Sequence, residues 1–124
     1  MNAKDLKVVV KEKYGSIAKQ SLSNDKIKSS CCGTSGCCEK IEFSMIGDDY
    51  NTVEGYNPDA DLGLGCGLPT QFANLKTGDC VLDLGSGAGN DCFVARAIVG
   101  ETGKIVGLDF TDMMVVKAIE NNRK

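Results

Sequence analysis

Histidine and tryptophan are absent from the 124-residue chain, and only two prolines occur. Without histidine the commonest general base near neutral pH is missing, and so is any zinc site of the two-Cys, two-His kind. Positive charge is also short: 14 Lys and Arg stand against 17 Asp and Glu, a formal charge of −3. Such a chain lacks the basic face that nucleic acid or an anionic membrane requires, so neither is expected as a partner. No apolar run approaches the ~20 residues that cross a bilayer. The polar start has no signal-peptide core, and a cytoplasmic setting is expected.

Cysteine, by contrast, is plentiful. Of seven, four fall within "SSCCGTSGCCEK" as Cys31, Cys32, Cys37 and Cys38. In a reducing compartment clustered thiols point to metal binding, catalysis or redox chemistry rather than to disulfides, and an odd count agrees. Adjacent cysteines do not match the usual C-x2–4-C zinc knuckle cleanly. A structural zinc site and a redox or metal-scavenging loop stay as competing readings. Cys80 and Cys92 are expected as small buried hydrophobes.

Along the chain, Leu6, Val9, Val10, Tyr14, Ile17 and Ala18 recur at helical spacing, predicting an amphipathic helix over residues 3 to about 20, with Lys4, Lys7, Lys11 and Lys13 solvated and Gly15 interrupting it. Residues 21–40 read as a loop that carries the thiols. Residues 41–61 are polar, with "GDDY" and "YNP" as turn signals and Asp48, Asp49, Asp59 and Asp61 as solvated charges. "DLGLGCGLP" places three glycines around Cys66 before Pro69, which can open a short helix. From Lys76 the pattern sharpens. "CVLDLG" and "KIVGLDF" have the continuous apolar character of buried parallel strands. "AGNDCFVARAIVG" is helical and stops at Gly100, and Thr111 is the expected N-cap of a last helix. The order strand–helix–strand–helix opens an α/β fold of the doubly wound, Rossmann-like type.

"VLDLGSGAG" sets Gly85, Ser86, Gly87 and Gly89 in a G-x-G-x-G turn between a strand and a helix. Glycines there let backbone approach a ligand, and the helix start supplies N–H groups. Asp109, at the end of the second strand, stands where an acid reaches ribose hydroxyls. Asp83, just before the loop, disfavours a polyanion and suits a cationic ligand such as S-adenosylmethionine, with Phe110 placed to lie against adenine. The competing reading is a plain α/β unit whose glycines serve packing and whose Asp83 is a turn acid.

"VVVKEKYG", Cys31–Cys32, "GCGLP", "LDLGSGAG" and "DFTDMM" follow one another in this order. That succession resembles the arsenite methyltransferase family, class I S-adenosylmethionine-dependent methyltransferases, along nearly the whole chain. The resemblance implies S-adenosylmethionine held by Asp83, Gly85, Ser86, Gly87, Gly89, Asp109 and Phe110. It also implies trivalent arsenic held by Cys31, Cys32 and Cys66, with Cys32 and Cys66 carrying the reaction. A soft, thiophilic centre of this kind is nucleophilic through its own lone pair and needs no histidine base. Arsenite arriving as a thiol complex and a thiol reductant are the implied partners. Residues 1–61 would form the N-terminal helix and Cys-rich region, and residues 62–124 the first part of the cofactor-binding domain. The family's sheet has seven strands, and its second half carries further cysteines. The chain is therefore expected to be the N-terminal part of a longer protein, with a sheet that could pair with itself into a homo-oligomer. Two other readings are a non-catalytic thiol module for arsenic or zinc and a methyltransferase for another small substrate.

Overall fold

The computed structural model describes residues 2–22, 49–65 and 67–124, without the side chains of residues 21 and 22. The positions of Cys31, Cys32, Cys37, Cys38 and Cys66 lie outside the described residues. Helix α1 spans Ala3–Leu22 and a short 3-10 helix spans Pro69–Gln71. Strand β1 (Cys80–Leu84), helix α2 (Asn90–Val99), strand β2 (Lys104–Leu108) and helix α3 (Asp112–Asn122) follow. The strands pair in parallel, Leu82 with Val106 and Leu84 with Leu108, and α2 crosses between them on one face. This is the opening of a Rossmann-like α/β fold preceded by a helix, as the alternation of strand and helix patterns predicted.

Local chemistry sets the ends of these elements. The Asn2 side chain accepts the N–H groups of Lys4 and Asp5, and Asp5 accepts the N–H of Asn2, so α1 opens with a reciprocal cap. Gly100 closes α2 with its N–H on the Arg96 carbonyl. Thr111 caps α3 without a side-chain bond to the helix; its own N–H is instead held by Asp109 at 2.8 Å.

Gly15 does not interrupt α1. It is buried where α1 crosses α3, and a Cβ there would lie 3.8 Å from Met113 and 3.9 Å from Thr111. Packing of α1 on α3 outweighs the ~1 kcal/mol helix cost of a glycine. Leu6 and Val9, expected on the buried stripe, are half-exposed; Ala18 is fully buried.

The core is a cluster of Tyr50, Leu68 and Val94, with Val53 and Tyr56 against it. It lies between α2 and the 49–68 segment, so the polar stretch before the 3-10 helix supplies much of the packing. Even-numbered strand positions face away from α2. Leu82, Leu84, Val106 and Leu108 are between 41% and 71% exposed, and Cys80 is exposed too. Both corrections to the sequence reading share one cause: a strand is buried on two faces only when helices cover both, and among the described residues one face is covered.

An apolar sheet face of this kind binds hydrophobic dyes. The chain is expected to enhance anilinonaphthalene sulfonate fluorescence. The double substitution Leu84→Thr, Leu108→Thr should reduce the signal severalfold while far-ultraviolet circular dichroism stays unchanged.

Candidate functional site

The glycine loop leaves the end of β1 and is fastened at once to β2. The N–H groups of Gly85 and Ser86 donate to the Leu108 carbonyl at 2.7 and 3.1 Å. Gly87 donates its N–H to Asp109 Oδ2 at 3.0 Å, while Thr111 donates to Oδ1 at 2.8 Å. One carboxylate therefore joins the loop to the start of α3, and each of its oxygens keeps a further lone pair for a ligand hydroxyl. From behind, buried Asn121 donates to the Ala88 carbonyl at 3.1 Å and to the Asp59 carbonyl at 3.3 Å.

Gly85 and Gly87 have φ of +80° and +53°, and a Cβ at either would meet no atom within 4 Å. Their glycines thus serve the turn and leave bare backbone toward open space. Gly89, at a φ of +97°, serves the turn as well, and a Cβ there would lie 3.0 Å from the Phe93 ring, so its smallness also serves packing. Gly107 is a further glycine that the pattern did not single out. A side chain there would collide with Ser86 and Cys92 directly under the loop.

In front of the loop lies a cleft of about 420 Å³, within the range that holds small ligands and cofactors. Gly85, Ser86, Gly87, Asp109 and Phe110 all line it, as do Met114 of α3 and Val10 and Tyr14 of α1. Phe110 is 55% exposed, so its ring stands ready to be covered. Gly89 and Asp83 are not on the wall. Asp83 turns toward α2 and accepts the Cys92 thiol at 3.3 Å. Burial, and then the neighbouring Asp83 charge, push the Cys92 thiol up to about 12. Cys92 is thus a neutral donor and not a thiolate ligand.

Three carboxylates, Asp61, Asp91 and Asp109, line the cleft, and among the described residues no lysine or arginine does. Asp61 was expected as a solvated loop charge, and Asp91 was not singled out. Each takes a tyrosine hydroxyl from the 49–61 segment: Tyr50 donates to Asp91 Oδ1 at 2.8 Å and Tyr56 to Asp61 Oδ2 at 3.2 Å. The two rings stack on each other with centroids 6.5 Å apart. Tyr50 also donates to the Gly67 carbonyl. Burial raises the Asp91 carboxyl above its ordinary range, the Tyr50 hydroxyl pulls it back down, and the Asp83 charge raises it. Aromatic residues recurring in an otherwise polar, turn-rich stretch were the only available sequence signal for this wall.

Among the described residues no three cysteine or acidic side chains converge as a metal ion requires. No helix among them is long and apolar enough to cross a membrane.

A methyltransferase domain model matches residues 75–124. The strand, glycine loop and acid described above fall inside that match, so this part of the chain is a stretch of methyltransferase domain. The chain as a whole is arsenite methyltransferase-like. It is 41% identical to the arsenite methyltransferase of Halobacterium salinarum over 94% of its own length, and 33% identical to that of Rattus norvegicus over 86%. A further relative is the 23S rRNA (uracil(1939)-C(5))-methyltransferase of Psychrobacter arcticus, 40% identical over 68% of the chain. The chain spans 31%, 26% and 16% of these relatives, about a third of their length or less. No solved structure matches the chain.

Proposed function

We propose that the chain forms the cofactor-binding part of an enzyme that transfers a methyl group from S-adenosylmethionine to trivalent arsenic held by cysteine sulfur. The carrying observation is the cleft itself, with bare glycine backbone and, among the described residues, three carboxylates and no cation lining it. A polyanionic dinucleotide would meet net repulsion there, whereas a ligand bearing sulfonium and ammonium charges is attracted. Asp109, with one lone pair left on each oxygen, suits the ribose hydroxyls. The exposed Phe110 ring suits the adenine face.

When bound, S-adenosylmethionine would supply an electrophilic methyl group. The chain's own task is positioning: the glycine loop and Asp109 fix the nucleoside, and the acids of the cleft favour the charged end. Cys31, Cys32 and Cys66 are the proposed sulfur ligands. Their positions lie outside the described residues, but Gly65, one residue before Cys66, lines the cleft. Similarity to arsenite methyltransferases over most of the chain supports arsenite as the substrate. A thiol reductant fits the same reading, because donating the arsenic lone pair to a methyl cation formally oxidises arsenic from +3 to +5.

Titrating As(III) against the chain and its Cys66→Ser variant tests the substrate assignment. Losing one of three metalloid–sulfur bonds should weaken binding by more than about tenfold. Equal affinity in the two proteins would remove Cys66 from the site.

A further inference from the structure

We propose that Tyr50 is a positioning residue of the cleft: its hydroxyl fixes the Asp91 carboxylate on the wall as counter-charge for the cationic end of the ligand, and links that acid to the Gly67 backbone. The identity of the ligand rests on the reading just given; the Tyr50–Asp91 linkage does not.

The geometry has three parts. First, the Tyr50 ring is only 4% exposed, sits in the core against Leu68 and Val94, and stacks on Tyr56. Packing, rather than its own hydrogen bond, therefore decides where the hydroxyl points. Second, that hydroxyl reaches two segments far apart in sequence, the first turn of α2 through Asp91 and the residue before Leu68 through the Gly67 carbonyl. A phenol carries one proton, so two acceptors share a single donor and their positions are coupled.

Third, Asp91 is an acid in a half-buried place that resists charge. Burial and the Asp83 carboxylate on β1 both oppose its ionisation, and the Tyr50 hydrogen bond is what favours it. Among the described residues the groups facing Asp91 are Asp83 from β1, the neutral Cys92 thiol from its own helix and Tyr50 from the upstream segment. The helix N-terminus adds partial positive charge. Among the described residues no lysine or arginine lines the cleft to neutralise Asp91. A carboxylate held charged against burial, beside open space, gains most when a cation arrives.

Two measurements on the chain decide the matter. The Asp91 side-chain carboxyl is followed by carbon-13 NMR against pH, without ligand, in the wild type and in Tyr50→Phe. Removing the hydroxyl takes away the interaction that favours the charged form, so the midpoint should move up by about one pH unit. Calorimetry with S-adenosylmethionine near neutral pH then compares the wild type, Tyr50→Phe and Asp91→Asn. Affinity should fall about tenfold in each variant, the usual worth of a bond to a charged group. An unmoved Asp91 midpoint in Tyr50→Phe overturns the linkage, even if that variant binds weakly, because weak binding alone would follow from a merely structural role. Wild-type affinity in Asp91→Asn overturns the counter-charge assignment. If the wild type itself takes up no S-adenosylmethionine, the functional reading above fails, while the ligand-free titration still decides whether Tyr50 governs Asp91.

Discussion

Replacing Gly55 with alanine should unfold the chain at a temperature lower by ~10–20 °C, the shift that follows from a loss on the order of 3 kcal/mol in a domain of this size. Gly55 has a φ of +85°, a region that costs an L-residue roughly 1–2 kcal/mol. An added Cβ would also sit 2.6 Å from the Phe93 carbonyl oxygen, 2.9 Å from the Ala97 Cβ and 3.1 Å from the Val94 Cα. Two of these are backbone atoms of α2, which cannot swing aside as the tip of a long side chain would. Overpacking against them costs roughly 1–3 kcal/mol more. The combined loss is a large share of the ~5–15 kcal/mol that holds a domain folded. Thermal and urea unfolding of Gly55→Ala measure it. A melting temperature within a few degrees of the wild type would mean that the 49–61 segment does not pack on α2 as described. The same substitution should weaken any ligand of the cleft, because Tyr50 and Asp61 reach the wall only while that segment stays seated.

The second large effect is expected at Asp109. In Asp109→Asn the charge goes, and one of the two oxygens that receive the Gly87 and Thr111 N–H groups becomes an NH2 donor facing another donor. Stability should fall by about 1–3 kcal/mol, the cost of leaving a buried N–H unpaired. S-adenosylmethionine affinity should fall further, by about 100-fold, if two ribose hydroxyls each lose a charged acceptor. Denaturant unfolding and calorimetry separate the two components. Asp109→Asn with intact affinity would mean that the nucleoside does not sit on this carboxylate. Tyr50→Phe serves as the contrast, since Tyr50 bonds to Asp91 and Gly67 and not to Asp109.

Much of this molecule was open to a reading of residues in order. The strands at Cys80–Leu84 and Lys104–Leu108, the stop at Gly100, the helix start after Thr111 and the glycine turn are written in neighbouring residues. Each depends on apolar runs, capping chemistry or φ preference within a few positions, so no long-range information was needed. Gly85, Ser86, Gly87, Asp109 and Phe110 meet on one cleft because strand–loop–helix order carries them there.

What remained closed depended on chain segments meeting from afar. Tyr50 and Asp91 are 41 residues apart and bond through a hydroxyl whose position the core imposes. Asp83 and Asp91 are both acids beside the glycine loop in sequence. Yet one faces a thiol under the sheet and the other faces the cleft, because a strand alternates its side chains and a helix turns them by 100° per residue. Gly15 looked like a helix breaker until α3 was laid across it. Local preference by itself determined the elements, the nucleotide-type turn and the acid after β2. Tertiary packing alone decided which carboxylates share the cleft, since burial and hydrogen-bond partners belong to the assembled chain and not to any short stretch of it.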